Sequence, residues 1–138
     1  MKYMIMLYGS QRDYDAMVGK ATDQPAWTTE DFVAMSTFME KWNNELIESG
    51  EFVDARGLAE PVHTRRVGLQ NGVRVVTDGP YAETQEVLAG YTIVECDSFD
   101  RATEIADKLA DCPPGPGNPQ NLYVDIRPIA DGAGEFAG

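Results

Sequence analysis

Hydrophobic positions first gather in "KYMIMLY" (2–8), a short apolar and aromatic run that reads as a strand covered on both faces. From Gly9 to Pro25 no clean period follows. "RDYDAMV" has the make-up of a single helical turn, but the stretch reads mainly as a long loop, a feature that in compact domains often borders a site. At Trp27 the period becomes helical. Phe32, Met35, Met39, Trp42 and Leu46 recur three or four residues apart and lay one apolar stripe along a helix. Thr28 suits the N-cap, Asp31 takes the capping-box place usually held by Glu or Gln, and Trp27 and Phe32 form a hydrophobic staple. Gly50 closes the helix. A methionine and aromatic stripe at this spacing is core, not a ligand box.

Beyond Gly50 the pattern shortens to strands. "EFVDA" (51–55) is one, and "VHTRRVGL" and "VRVVTD" are two more, joined through "QNG". Asn71-Gly72 between such runs is a strong hairpin signal, because a type I′ turn needs positive φ at both central residues. With those two as the loop, Gln70 faces Val73, Arg66 faces Thr77, and Arg65 faces Asp78, with His63 a diagonal step from Asp78. "YTIVEC" (91–96) is a further strand. "SFDRATEIADKLAD" is a helix capped by Ser98, with Phe99, Ala102, Ile105, Ala106 and Leu109 facing inward. "CPPGPGNP" is a rigid connector, "NLYVDIRPI" (121–129) a last strand, and "ADGAGEFAG" is expected to fray.

The order β-α-β, hairpin, β-α-β predicts an α+β fold, a ferredoxin-like alpha-beta plait with an extra β-hairpin. Its helices would cover one face of an antiparallel sheet. The strands carry apolar residues on both faces, so the second face needs cover as well. A second subunit packed sheet to sheet would supply it, which predicts a homodimer in a dimeric α+β barrel arrangement.

Length and charge narrow the partners. At 138 residues the chain is one domain, taken as 1–130 with a tail at 131–138, and is large enough to fold without staples. Eleven Lys and Arg against 23 Asp and Glu give a formal charge of -12, which repels phosphate backbones and anionic lipid. No nucleic-acid or membrane role is expected. The apolar runs are too short to span a bilayer, and "GSQRDYD" follows the first run where a signal peptide would need a small-residue cleavage site. The expected location is cytoplasmic, with Cys96 and Cys112 reduced. With no CxxC and a single histidine, no Cys/His metal site is expected, nor a cofactor.

Familiar catalytic signatures are absent: there is no P-loop, GxGxxG or GxSxG. What remains surrounds "TDGPYAETQE" (77–86). His63 is a candidate general base oriented by Asp78, and Arg65 and Arg66 are candidates for binding an anionic group. Glu83 and Glu86 would add an acid or close the site, with Tyr81 on the rim. The plainer alternative explains the same residues without catalysis. Asp78-Gly79-Pro80 is ordinary turn chemistry, Arg65 pairs with Asp78 across strands, His63 is an exposed strand residue, and Tyr81 and Tyr91 are half-buried packing residues.

"VVTDGPYAETQEVLAGY" resembles the signature of the DGPF subgroup of YCII-related proteins, with Tyr81 at the Phe position. The similarity extends through "MKYMIMLYG", "GLAEP", "SFDRATEIA" and "VDIRPI". The resemblance implies a ferredoxin-like, dimeric α+β fold. YCII-related proteins are often described as enzymes, because some carry a His-Asp pair in a cleft, and one branch includes a dehydrochlorinase of a chlorinated hydroxyquinol. The DGPF branch is often encoded beside extracytoplasmic-function sigma factors. Asp78 matches the Asp of the motif, and His63 lies ahead of it. Two functions follow as expectations. One is a small cofactor-independent enzyme using His-Asp acid/base chemistry on a small anionic or aromatic substrate. The other is a non-catalytic dimeric module that binds a small ligand or a regulatory partner.

Overall fold

A computed structural model describes residues 1–20, 25–116 and 122–131. The elements run β1 (Lys2–Gly9), α1 (Gln11–Met17), α2 (Thr29–Ser49), β2 (Phe52–Gly57), β3 (Arg65–Gln70), β4 (Val73–Asp78), β5 (Val87–Glu95), α3 (Phe99–Asp107) and β6 (Val124–Pro128). β2, β5, β1 and β6 form one sheet in that order, every neighbouring pair antiparallel. β3 and β4 form a separate two-stranded sheet. The fold is therefore α+β with an antiparallel sheet, as the pattern of apolar positions predicts.

Period-2 alternation decides which face is core. Tyr3, Ile5 and Leu7 of β1 lie opposite Val94, Thr92 and Gly90 of β5 and share their face. Val124 and Ile126 of β6 join them from the other side. α2 and α3 supply Trp42, Leu46, Ala102, Ile105 and Ala106 to the same core. The Trp42 indole donates to the Ile105 carbonyl at 3.0 Å, and the Phe99 ring stands edge-on to Tyr3 at 5.2 Å. On the opposite face lie Met4, Met6, Tyr8, Tyr91 and Ile93, all only half-buried, and no residue of that face is fully buried.

α2 begins and ends where its sequence predicts. Thr28 accepts from the Asp31 amide at 3.1 Å, and Asp31 returns a bond from the Thr28 amide at 2.8 Å. The Trp27 and Phe32 rings meet at 5.3 Å, and Gly50 takes the left-handed cap. The hairpin also matches in register, with Arg65 opposite Asp78 and Arg66 opposite Thr77. Asn71 and Gly72 take φ of 50° and 79°, the positive pair that a type I′ turn requires.

Several expectations change. Residues 11–17 form α1 instead of loop, because Ser10 and Asp13 make a full capping box ahead of them. β5 starts at Val87, four residues early, because β1 runs on to Gly9 and pairs Tyr8 with Leu88 and Gly9 with Val87. The second helix ends at Asp107 and tightens into a 3₁₀ turn over Lys108–Asp111. His63 is not in a strand. Pro61 fixes the first position of a 3₁₀ turn over Pro61–His63, so the strand begins only at Arg65. The last strand is shorter than expected, Val124–Pro128, with Leu122, Tyr123 and Ile129 outside it. The expectations for 117–119 of the connector, for Asn121 and for a frayed tail over 132–138 lie outside the described residues. Cys96 and Cys112 are unpaired, and burial pushes both thiols above their usual range. Among the described residues no helix is long and apolar enough to cross a membrane.

Candidate functional site

Three segments meet beyond the end of β1, and Gln11 holds two of them together. Its side-chain oxygen accepts from the Val62 amide at 2.8 Å, while its amide nitrogen donates to Asp15 at 2.9 Å and to Glu60 at 3.1 Å. The Arg12 amide donates to the Glu83 carbonyl at 3.0 Å, which ties the start of α1 to the loop after β4. The Gly79 amide donates to the Thr64 carbonyl at 2.8 Å and closes that loop onto the 3₁₀ turn. Tyr14 lines the same corner, its phenol pushed up first by burial and then by the nearby charges of Glu60 and Asp13.

His63 stands in this corner with its side chain 66% exposed. The carboxylate it faces is Glu60, with Nε2 3.6 Å from Oε2, within ion-pair reach but longer than a hydrogen bond. Asp78 is engaged elsewhere. Arg65 Nε donates to Asp78 Oδ1 at 2.6 Å and Nη2 reaches Oδ2 at 3.5 Å, a cross-strand fork exposed to solvent. Arg66, on the other face of the hairpin, lays its guanidinium 5.4 Å from the centre of the Tyr81 ring. Glu83 contributes its carbonyl to the Arg12 contact, and Glu86 accepts from the Tyr123 hydroxyl at 3.0 Å. Two pairings thus replace the single His63–Asp78 pairing: His63 with Glu60, and Asp78 with Arg65.

A second polar group sits on the uncovered sheet face. Tyr8 donates to Asp125 at 2.7 Å, and its ring lies 5.4 Å from that of Tyr123. The hydrogen bonds to Asp125 and Glu86 push the phenols of Tyr8 and Tyr123, respectively, above their usual range. Tyr8, Tyr123 and Asp125 escaped sequence reasoning because their meeting depends on β6 pairing with β1, a contact spanning 117 positions. Gln11 and Glu60 escaped it too. The one signal was the long stretch after Gly9, whose length alone suggested a bordering site.

A depression of about 420 Å³ lies on the solvent side of α2, lined by residues including Glu40, Asn44 and Glu48 and by none of those singled out above. Among the described residues no three His, Cys, Asp or Glu side chains are placed to hold a metal ion.

The comparisons with known proteins give a family and leave the chemistry open. An uncharacterised protein of Rhizobium meliloti (strain 1021) is 27% identical over 105 residues, covering 76% of this chain and 81% of that protein. The model of the YCII-related domain matches residues 1–115, everything from β1 through the turn after α3, and the chain therefore belongs to the YCII-related family.

Proposed function

We propose that this chain is a homodimeric, small-ligand-binding protein of the DGPF subgroup, acting in the cytoplasm. The observation that carries the reading is the uncovered sheet face. Met4, Met6, Tyr8, Tyr91 and Ile93 form an apolar and aromatic surface that only half escapes water in the single chain. The sheet order β2-β5-β1-β6 with two helical crossovers supports a ferredoxin-like plait, and a second copy on this face would complete a dimeric α+β barrel. The ligand site is the rim between the 78–86 loop and the His63 corner. Arg66, stacked on Tyr81, presents a planar cation there to a small carboxylate-bearing or aromatic ligand. Arg65 is the weaker candidate, because Asp78 already occupies it.

Light scattering on the eluting protein tests the dimer. The wild type is expected at twice the chain mass, and Ile93→Glu, which places a charge on the uncovered face, at the single mass. A monomeric wild type at micromolar concentration defeats the proposal.

One observation favours a second reading, acid/base catalysis: His63 faces a carboxylate that Gln11 holds in place. Glu60 would orient the imidazole in the role first expected of Asp78, leaving Nδ1 to move the proton. A thermal-shift screen of small aromatic and aliphatic carboxylates separates the two. Ligands whose effect is lost in Arg66→Ala and kept in His63→Gln support binding. A ligand consumed by the wild type and left intact by His63→Gln supports catalysis.

A further inference from the structure

The β3–β4 hairpin is anomalous as it stands. Among the described residues it pairs with no other strand, and its apolar side chains face water: Val67 is 73% exposed, Leu69 69% and Val76 62%. Cross-strand register places these three on one face, with Arg65, Arg74 and Asp78 around them. An isolated two-stranded hairpin is marginal in water, and a row of exposed branched side chains on it invites association. The hairpin also reverses the local charge. It holds three of the eleven cationic residues and one of the 23 acidic ones.

We propose that this hairpin is an arm that clasps a second copy of the same chain, its Val67–Leu69–Val76 face laid on the partner. The proposal rests on the dimer reading above and adds a second contact to it. Charge selects the occupant: the apolar face is rimmed by Arg65 and Arg74 against Asp78 alone, and is complementary to the strongly acidic remainder of its own chain. The chain also carries apolar surface to receive it, since Val53, Leu58 and Val62 at and beyond the β2 edge are exposed. Size points the same way. Four strands spaced ~4.8 Å apart, with five to eight paired residues rising ~3.3 Å each, present a flat footprint of roughly 20 by 20 Å. A footprint of ~400 Å² is modest for a standard interface, to which each partner gives ~800 Å² of accessible surface. Two arms, one from each copy, enlarge the contact symmetrically, as a two-fold interface requires.

The test uses the full chain with Val67→Thr, Leu69→Thr and Val76→Thr together, changes that keep strand propensity at exposed positions. Dimer dissociation is measured by sedimentation over a dilution series. The constant is expected to rise at least about tenfold, because several branched side chains per dimer lose their cover. Trypsin gives a second reading on unmodified arms, at Arg65, Arg66 and Arg74. Cleavage is expected to be slow in the wild-type dimer and fast in monomeric Ile93→Glu. A dimer whose constant is unchanged by the triple substitution, or whose arm is cut as fast as the monomer's, overturns the arm and leaves the sheet-face dimer standing. A monomeric wild type overturns both.

Discussion

Arg101 grips Glu51 with two parallel bonds, Nε to Oε2 at 2.9 Å and Nη2 to Oε1 at 2.8 Å. Glu51 follows the Gly50 cap of α2, and Arg101 sits in the first part of α3, so one fork staples the α2–β2 corner to the second helix. The fork, helped by the Ser49 hydroxyl, holds the Glu51 carboxyl down at about 2 against the opposing pull of burial. A carboxyl depressed in the folded state contributes stability above its ordinary value of 4.5 and loses it as pH falls toward 2. Arg101→Met is expected to cost about 1–3 kcal/mol at neutral pH and to flatten this acid-sensitive limb. Urea denaturation of both proteins across that range checks it, and an unchanged acid slope in the variant would refute the assignment.

Trp42 joins the helices by a different device. Ile105 lies in the last turn of α3, where carbonyls lack an intrahelical partner, and the Trp42 indole supplies a donor at 3.0 Å. Trp42→Phe keeps an aromatic ring but removes that donor. It is expected to destabilise the fold by about 1–3 kcal/mol, through a buried acceptor left unsatisfied and lost volume. The same variant should lose the blue-shifted part of the fluorescence, leaving emission from half-buried Trp27. Chemical denaturation that matches the wild type would show the bond to be unimportant.

What the sequence revealed, and what it hid, follows the range of the interactions. α2 was readable because Thr28, Asp31 and Gly50 act within one turn of its ends, and Trp42 and Leu46 mark its buried stripe. The Arg65–Asp78 pairing was readable because a two-residue turn fixes every partner before it. α1 was missed because none of its seven residues is fully buried, so it shows no stripe, only a Ser10–Asp13 cap. The His63 partner was missed for another reason. A one-turn 3₁₀ segment begun by Pro61 turns the chain before β3, and the strand register that placed His63 near Asp78 does not reach back through it. Gln11 could not be found locally at all, since its bond to Glu60 spans 49 positions.

Asp78 illustrates how a motif residue can be structurally cheap. Both side chains of its pair with Arg65 are mostly exposed, at 71% and 67%. Solvent screening and the entropy of holding a long arginine in place offset most of the attraction. Asp78→Asn is therefore expected to change global stability by less than about 1 kcal/mol. The turn at the other end of the hairpin is less forgiving: Gly72→Val, at a φ of 79°, is expected to cost about 1–2 kcal/mol locally. Amide exchange in β3 and β4 would show it, rising sharply for Gly72→Val and little for Asp78→Asn. Equal effects would mean that the exposed ion pair, not the turn, holds the arm together.

Gly115 meets Trp27 where no side chain fits. A Cβ at this position would lie 2.5 Å from one carbon of the indole and 2.6 Å from a second, so the ring or the backbone must move. The same ring contacts Phe32 at 5.3 Å in the staple that opens α2. Displacing it therefore disturbs the start of the longest helix. Gly115→Ala is expected to cost about 1–3 kcal/mol, the usual range for overpacking, and to shift the Trp27 emission. Trp27→Leu alone should weaken the staple, but in the Gly115→Ala background it should also relieve the clash. The two substitutions together are then expected to cost less than the sum of their separate effects. Strict additivity in a double-mutant cycle, read from denaturation midpoints, would show that the ring and the glycine are not in contact in solution.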